Sequence, residues 1–415
     1  MEEVKVAKIQ ILPTTEQQQQ LAATMVEYTR ICNVISLWIF NNNFEISHHA
    51  VHRHIYYNLR ECSCLSSRMV QDAIRTVCAR YKTVQTQLAK KPVQYRDDTG
   101  IHNYKLNGKK IYQTLEWLWK PVKFKKPQYD LLHGTSYSFV NSGGQISLAT
   151  ITGRICMSYR YQPYFSQYLD DTWKLGTAKL IQKNNKWFLH VPCSRQISEY
   201  ERTVSSTVVG IDRGERFLAT VYDGKNTWFW SGKEIMHRRD RYAKTRQNLQ
   251  AHNTKNSRRR LRKIAHRENS WMSNLNHTAT KALCETYGPN TVFVLEDLEG
   301  VSFDERNLRC SKRNRRQKRS WAFYQFEQFL TYKAAAMQSK VLIVNPRYTS
   351  QRCPKCHIVS KEQRDHKHHE YRCSCGFRTN DDRIAAMNIQ ELGIRWILGE
   401  DKPKYTKTRN LAIAE

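Results

Sequence analysis

The sequence predicts a multidomain α/β fold, in which an RNase H-like domain carries a zinc ribbon and a β-barrel carries inserted helices. Three strand-like segments follow one another from residue 207, and alternating helices and apolar strands come after them, which is the element order of an RNase H-like fold. Alternating short strands occur at the N-terminus and again after residue 130, with helical patterns between them. Four cysteines cluster at 353–375. The 415 residues are enough for two to four compact units.

The N-terminal part begins with a strand and continues as helices. Residues 5–12 alternate apolar and polar side chains before Pro13, so we predict an edge strand that ends there. Thr14 and Gln17 have the spacing of a capping box, which predicts the start of a long amphipathic helix. The patterns stay mostly helical from 46 to 118, which indicates a helical insertion.

A β unit follows the basic segment "KPVKFKKP" at 120–127. The segments "SYSFV", "QISLAT" and "RICMSYRY" read as strands, and "TAKLIQKNNKWFLHVPCS" reads as a hairpin with Asn184 and Asn185 at its tip. We expect the first strand of the chain to join these strands. The result is a barrel-like domain that the helices interrupt.

The C-terminal part begins with the strands "TVVGID", "RFLATVYDG" and "NTWFWSG". A highly basic helical region fills 234–286. The apolar segments "NTVFVLEDL" and "VLIVNP" predict two buried strands, and "QKRSWAFYQFEQFLTYKAAAMQSK" predicts an amphipathic helix between them. The polar tail after about residue 400 predicts no further core element.

The charge balance points to an anionic partner. Lys and Arg number 68 against 37 Asp and Glu, which gives a net charge of +31. Nucleic acid is the natural counter-charge, since bound phosphates release counterions as Lys and Arg replace them; a ribosomal or membrane-surface role is the competing interpretation. No apolar run approaches the ~20 residues that a membrane-spanning helix needs. Twelve cysteines without a secretion signal indicate a reducing compartment, so we expect a cytoplasmic, nucleoid-associated protein of a prokaryote.

Three carboxylates stand at element ends where they can converge. Asp212 ends the strand "VVGID", Glu296 ends the strand "VFVLE", and Asp382 opens the helix "DRIAAMNIQEL". Each one alone is equally well read as a turn residue or a helix cap. Together they predict a site for two Mg²⁺ (or Mn²⁺) ions, because Mg²⁺ takes a few carboxylates and keeps water and phosphate oxygens as its other ligands. Such a pair, roughly 4 Å apart, supports in-line phosphodiester displacement.

Two neighbouring aspartates compete with the triad. Asp297 follows Glu296 and is expected to point away from it on a strand. Asp381 precedes Asp382 and is expected to be the N-cap of the helix.

The cysteine cluster predicts a structural Zn²⁺ site. Cys353 and Cys356 form a C-x-x-C knuckle, and Cys373 and Cys375, followed by Gly376, close it. Four thiolates at this loop length fit tetrahedral Zn²⁺. The second pair has C-x-C spacing, so the alternative that His368 or His369 replaces one thiol stays open.

Two basic runs flank the predicted carboxylate site in sequence. The first, "SRRRLRK" at 257–263, lies in the basic helical region, and the second, "RNLRCSKRNRRQKR" at 306–319, follows the Glu296 strand. Basic runs are often only solvated faces, but their position here favours a nucleic-acid channel. The candidate contact residues are Arg258, Arg259, Arg260, Arg313, Arg315, Arg316, Lys318 and Arg319.

These motifs together resemble those of the TnpB family of transposon-encoded RNA-guided endonucleases and the related compact type V CRISPR effectors. The segments "GIDRGERFLATVYDG", "VFVLEDLEG", "NPRYTSQRCPKC" and "CGFRTNDDRIAAMNI" occur in family order over 210–389, and "LPTTEQQQQLAATMVEYTRICNVIS" is a weaker match. The resemblance implies that Asp212, Glu296 and Asp382 are the catalytic residues. The zinc ligands it implies are Cys353, Cys356, Cys373 and Cys375.

The resemblance also implies a division of the chain into family domains. Residues 1–15 and 120–205 would form a wedge barrel, and 16–119 a helical recognition domain. Residues 206–347 and 379–396 would form a RuvC nuclease domain, which a zinc-ribbon target-nucleic-acid-binding element at 348–378 interrupts. Residues 397–415 would be a flexible tail.

The expected activity is RNA-guided cleavage of double-stranded DNA beside a short flanking motif, with one RuvC site. The expected partners are a guide RNA, of the omega type or resembling crRNA and tracrRNA, and the target DNA, with no membrane. The resemblance implies that the basic loop at 300–320 lies over the site as a lid. Two alternatives stay open: an RNA-guided DNA-binding repressor without cleavage, and a RuvC-type nuclease or transposase that uses no RNA. Transposon or CRISPR context and the oligomeric state are open as well.

Overall fold

The computed structural model describes residues 1–98, 100–140, 144–170, 172–214, 216–298, 323–365 and 367–406. The chain divides into two compact units, Glu2–Gln196 and Ile197–Glu415 with Met1. Both contain helices and sheets, so the fold is multidomain α/β. Within the described residues, no helix has the length and apolarity needed to cross a membrane.

The first unit packs three helices against one large sheet. Its helices are α1 (Thr15–Asn41), α2 (His48–Glu61) and α3 (Ser67–Leu88). Its strands are β1 (Glu2–Leu12), β2 (Gln94–Asp97), β3 (Gly100–Asn103), β4 (Lys105–Leu106), β5 (Lys109–Lys110), β6 (Tyr129–Leu131), β7 (Tyr137–Val140), β8 (Gln145–Thr150), β9 (Gly153–Tyr161), β10 (Lys174–Leu175), β11 (Ala178–Lys183) and β12 (Lys186–Gln196). The large sheet has the order β6-β11-β12-β1-β9-β8-β7, with β10 beside β12.

The strand β1 is central in this sheet, so the prediction of an edge strand is wrong. It pairs antiparallel with β12 from Glu2 to Ile11 and with β9 from Ile9 to Leu12. Pro13 follows the strand and removes no hydrogen bond from either ladder, so it does not force an edge position. The prediction that β1 joins the later strands is confirmed.

The start of α1 is confirmed in detail, whereas the extent of the helical insertion is not. The Thr14 side chain accepts a hydrogen bond from the Gln17 backbone amide. The Gln17 side chain accepts one from the Thr14 backbone amide, which completes the capping box. The α-helices of this segment end at Leu88, and two hairpins, β2–β3 and β4–β5, occupy residues 94–110 of the part that we predicted to be helical. Asn107 and Gly108 turn the second hairpin with φ of 49° and 76°, which breaks a helix and matches a type I′ turn.

The second unit contains a five-stranded sheet and a small three-stranded sheet. Its strands are β13 (Thr207–Asp212), β14 (Phe217–Tyr222), β15 (Thr227–Ser231), β16 (Thr291–Glu296), β17 (Lys340–Val344), β18 (Arg364–Asp365), β19 (Glu370–Arg372) and β20 (Arg378–Asn380). Its helices are α4 (Lys233–His252), α5 (Lys255–Tyr287), α6 (Phe323–Ala336) and α7 (Asp381–Ile397).

The five-stranded sheet has the order β15-β14-β13-β16-β17. The first three strands in sequence pair antiparallel, and β16 and β17 continue the sheet in parallel with β13, which confirms the predicted element order. The strand β17 lies at the edge and is only partly buried, so the prediction that it is a buried strand is wrong. Val341 packs against the core on the α5–α6 side and Leu342 against the core on the α7 side, while Ile343 is exposed.

Helices cover both faces of this sheet. Val209, Ile211 and Phe293 face the core that α5 and α6 complete. The alternate residues Val208 and Val294 face α7. Because side chains alternate along a strand, this parity decides which polar residues at the strand ends point toward α7.

Candidate active site and zinc centre

The alternation of side chains along β13 and β16 brings Asp212 and Glu296 to one face and one end of the sheet. The strands β13 and β16 are parallel, and Gly210 pairs with Val294. Asp212 and Glu296 lie two residues further along their strands, on the side that faces α7. Each is the last residue of its strand, so the predicted convergence of these two carboxylates follows from the register.

The helix α7 adds the third carboxylate. Its axis passes so close to β13 that a Cβ at Gly210 would lie 2.1 Å from the Ala386 carbonyl oxygen. Asp382 lies one helical turn before Ala386, on the same side of the helix. The contact at Gly210 therefore directs Asp382 toward the end of the sheet where Asp212 lies.

The charges of Glu296 and Asp382 both act on Asp212. Burial, and then repulsion from Glu296 and Asp382, raises the pKa of Asp212 well above its ordinary value. Burial also raises the pKa of Glu296, although a hydrogen bond from Thr349 and the charge of Arg213 oppose the shift. Burial and then the neighbouring Asp381 raise the pKa of Asp382. All three charged forms are disfavoured, which is the condition that a bound cation relieves.

Asp381 has a different role from the one predicted. Asn380 is the N-cap of α7, because its side chain accepts hydrogen bonds from the amides of Asp382 and Arg383. The Asp381 side chain is buried, and it lies 3.3 Å from Arg364 Nε and 3.5 Å from an Arg216 nitrogen. Asp381 thus binds cationic side chains. Asp297 is exposed, as expected for a residue that points away from the site.

Three arginines that sequence reasoning did not single out surround the carboxylates. Arg364 in β18 lies 3.6 Å from Asp382, and Arg216 lies 3.6 Å from its other oxygen. Arg213 is buried and donates to the backbone oxygens of Glu296 and Phe323. Arg213 follows Asp212 directly, which is a usable signal, but nothing local to Arg364 indicates its long-range partners.

The three carboxylates are ligands of the type that a divalent cation takes, although among the described residues only the four clustered cysteines bring three or more candidate ligand atoms within reach of one ion. Asp212, Glu296 and Asp382 are carboxylates at one end of the sheet. Among the residues that the structure describes, Asp382 Oδ2 is buried without a hydrogen-bond partner, and Arg216 is the one cation at ion-pair distance from it. An acceptor-only oxygen without a donor is a suitable ligand for Mg²⁺.

The four cysteines of the predicted zinc centre come together. Their sulfur atoms all lie within 4.8 Å of one another, and within the described residues this is the one such group of three or more candidate ligands. Cys353 Sγ lies 3.6 Å from Cys375 Sγ, and Cys356 Sγ lies 3.4 Å from Cys373 Sγ. This arrangement fits the tetrahedral sulfur geometry of a structural Zn²⁺ site.

The local backbone supports the C-x-C half of this centre. Gly376 has a φ of 85°, which favours glycine at the turn after Cys375. A backbone hydrogen bond from Phe377 lowers the pKa of Cys375 to about 7, which favours the thiolate that a metal needs. Neither candidate histidine belongs to this group of ligands, and each has its Nδ1 beside a carboxylate. His368 Nδ1 lies 2.6 Å from Asp365, and His369 Nδ1 lies 3.6 Å from Asp381.

Only the first basic run lies in the described part of the chain. Arg258, Arg259 and Arg260 are exposed in the first turns of α5. The other candidate contacts lie outside the described residues; they are Arg313, Arg315, Arg316, Lys318 and Arg319.

Comparison with known proteins matches the two segments that hold these sites. Residues 190–299 match the OrfB_IS605 family, which is described as "Probable transposase". Residues 323–389 match the family described as "Cas12f1-like, TNB domain". The first segment contains Asp212 and Glu296, and the second contains Asp382 and all four cysteines.

Curated relatives agree with these matches. The chain is 29% identical over 232 residues to InsQ of Escherichia coli (strain K12), whose name proposes an RNA-guided DNA endonuclease; the match covers 51% of this chain and 55% of InsQ. It is 35% identical over 82 residues to the CRISPR-associated endodeoxyribonuclease Cas12f1 of Sulfoacidibacillus thermotolerans, covering 20% of this chain and 19% of that protein. The chain is a TnpB-like, Cas12-related protein.

The matches leave part of each relative uncovered. The TnpB-like chain spans about half of InsQ and less of Cas12f1. Two solved structures align with most of the chain. The first is a Cas12f1–sgRNA–target DNA complex, at 13% identity and a TM-score of 0.36, with 93% of this chain and 98% of that chain covered. The second is the mini-RNA-guided endonuclease CRISPR-Cas_phi3, at 12% identity and a TM-score of 0.47, with 97% of this chain and 93% of that chain covered.

Proposed function

We propose that this TnpB-like protein is an RNA-guided endonuclease that cleaves double-stranded DNA beside a short flanking motif, with a single metal-dependent RuvC-type site. The observation that carries the proposal is the convergence of Asp212, Glu296 and Asp382 on one end of the five-stranded sheet. The names of the relatives InsQ and Cas12f1 support the same activity class.

The side chains supply an anionic site with cationic surroundings. Asp212, Glu296 and Asp382 would hold two Mg²⁺ ions, and ions held there would supply activation of a water and stabilisation of the leaving oxygen of a phosphodiester. Thr349 donates to the Glu296 carboxylate and fixes its orientation. An Arg213 guanidinium nitrogen donates a hydrogen bond of 2.6 Å to the Glu296 carbonyl oxygen and so fixes the backbone there. Arg216 and Arg364 place positive charge beside Asp382, where a phosphate would add negative charge.

The zinc centre and the basic surfaces would serve nucleic-acid binding. Four thiols that fit Zn²⁺ hold the ribbon of β18–β20. Asp381 in α7 joins it by an ion pair with Arg364, so the ribbon that would contact target DNA is linked to the carboxylate site. A guide RNA would neutralise much of the +31 charge, and base pairing would select the target. We place this activity in the cytoplasm of a prokaryote, at the nucleoid.

Two other functions predict different behaviour. An RNA-guided repressor would bind the target without cutting it. Such a protein is expected to lack at least one carboxylate of the triad, whereas all three are present here. A nuclease or transposase working without RNA would show no bound RNA of defined length.

The first test is purification followed by sequencing of bound RNA. We expect RNA of defined length, and cleavage in Mg²⁺ of a plasmid that carries the matching sequence beside random flanking sequence. Asp212→Ala should remove cleavage and retain RNA and DNA binding. Asp297→Ala is the matched control, because this neighbouring acidic residue is exposed and lies beyond the end of β16. Cleavage at the wild-type rate by Asp212→Ala would exclude the assigned active site.

A further inference from the structure

The hairpins β2–β3 and β4–β5 carry exposed aromatic rings that the proposed cleavage reaction does not use. Tyr95 in β2 pairs directly with His102 in β3. Tyr104 lies two residues beyond His102 and therefore on the same face. We call this face, formed by Tyr95, His102 and Tyr104, the aromatic face.

The rings of the aromatic face form one cluster that remains open to solvent. The Tyr95 ring centroid lies 5.5 Å from that of His102 and 4.7 Å from that of Tyr104. Tyr95 and Tyr104 are 42% and 48% exposed. With Ile101, Asn103 and Lys105, the three rings line a groove of about 610 Å³. A cluster built for core packing would be covered, whereas this one presents its rings to the solvent.

The backbone holds the aromatic face in place without help from a ligand. The Tyr104 amide donates to the Val93 carbonyl at 2.9 Å, and the Ile111 amide donates to the Tyr104 carbonyl at 3.0 Å. The His102 ring is fixed by Asp97, 3.0 Å from its Nε2. A ligand that stacks here would therefore lose little binding energy to ordering the rings.

The charge of the hairpins favours an anionic ligand. Between residues 90 and 112 there are six cationic residues and two aspartates, so the net charge is 6 − 2 = +4. Lys105 and Lys110 stand directly opposite each other in the β4–β5 ladder. Like charges in this position destabilise a hairpin, and an anion between them would relieve the repulsion.

We propose that the aromatic face binds unpaired nucleotides, with bases stacked on Tyr95 and Tyr104 and phosphates beside Lys105 and Lys110. Stacking requires a free base face, which a duplex does not offer and a single strand does. A protein partner would favour an apolar surface without interspersed lysines. RNA and DNA share the chemistry of base and phosphate, and the experiment below distinguishes the two.

Cross-linking of the full-length protein locates the contact. Since a chain of net charge +31 binds polyanions at many places, affinity alone does not identify this face. A photoreactive single-stranded oligonucleotide, prepared as RNA with 4-thiouridine and as DNA with 4-thiothymidine, is irradiated with the protein. We expect mass spectrometry to find the cross-link in the peptide that holds Tyr95 or Tyr104. Stronger labelling by one oligonucleotide identifies the source.

A pair of double variants tests stacking separately from folding. Tyr95→Leu with Tyr104→Leu keeps apolar bulk and removes the rings, and it should weaken single-strand binding at least about fivefold while duplex binding stays unchanged. Tyr95→Phe with Tyr104→Phe keeps the rings and should bind like the wild type. The binding measurement does not depend on cleavage. A negative result for the aromatic face can therefore be distinguished from a failure of the proposed endonuclease activity.

Three results would overturn the proposal. The first is the absence of cross-links in residues 94–112 with both oligonucleotides. The second is an equal loss of single-strand and duplex affinity in the leucine variant. The third is a wild-type dimer that becomes a monomer in the leucine variant by mass photometry, since the face would then be a protein interface.

Discussion

The Gly210 α-carbon lies so close to Ala386 that a Cβ at position 210 would be 2.1 Å from the Ala386 carbonyl oxygen. Both partners at this contact are backbone, and neither can rotate away. The close approach of β13 and α7 is what places Asp382 near Asp212. Glycine is therefore required at position 210 for packing, although its backbone conformation is an ordinary strand.

Substitution of Gly210→Ala should destabilise the second unit. The added methyl group must separate β13 from α7, and overpacking of this kind costs about 1–3 kcal/mol or more. We expect a loss at the upper end of this range in the free energy of unfolding, measured by urea titration. Gly214→Ala is the matched control, because its Cβ would meet its nearest neighbour, the Phe217 carbonyl oxygen, at an ordinary 3.6 Å. Equal stability of both variants would contradict the packing argument.

The positions of Asp212 and Glu296 could be predicted because the signal is local: an acidic residue at the end of an apolar strand is visible in "VVGID" and "VFVLE". The central position of β1 in its sheet could not be predicted. The alternation of apolar and polar residues shows that one face of a strand is buried, but it does not show how many neighbouring strands it has. The ion pairs of Arg364 with Asp381 and Asp382 join residues in separate elements, and no local pattern encodes such a contact. The C-x-C half of the zinc centre looked irregular in sequence, yet the turn at Gly376 brings both sulfurs to the cluster.

The raised pKa of Asp212 predicts a pH-dependent stability in the absence of metal. The folded protein holds this proton to a higher pH than the unfolded chain, whose aspartates titrate near about pH 4. The stability gained from protonation is thus fully present below about pH 4 and is lost as the pH rises through the raised pKa. In EDTA, the free energy of unfolding of the wild type should fall with rising pH relative to that of Asp212→Asn.

Addition of Mg²⁺ should reverse this difference. Bound cations neutralise the carboxylates of the folded state, so the wild type should gain stability with Mg²⁺ concentration and Asp212→Asn should gain less. Urea unfolding at several pH values checks both effects. If the two proteins keep a constant stability difference across pH and Mg²⁺, Asp212 is not a metal-linked carboxylate in this fold.

The zinc assignment predicts a loss of bound metal that depends on cysteine position. Cys356→Ser should lower the zinc content from one atom per chain toward zero and weaken target binding, since Ser is a poor ligand for Zn²⁺. Elemental analysis of the purified protein checks the metal content. His368→Ala tests the alternative ligand and should leave zinc unchanged, and Cys64→Ser controls for removal of an exposed free thiol. Full zinc content in Cys356→Ser would refute the four-cysteine site.

The three exposed arginines at the start of α5 should contribute to the salt dependence of guide binding. Each phosphate contact contributes about 0.7–0.9 to the slope of log affinity against log salt concentration, depending on whether the nucleic acid is single- or double-stranded. Replacement of Arg258, Arg259 and Arg260 by Gln should therefore reduce the slope by about 2–3 if all three contact RNA. Replacement of the same residues by Lys keeps the charge and should keep the slope. Fluorescence anisotropy with labelled guide RNA at several salt concentrations measures the slope, and equal slopes for the Gln variant and the wild type would place the RNA elsewhere on the protein.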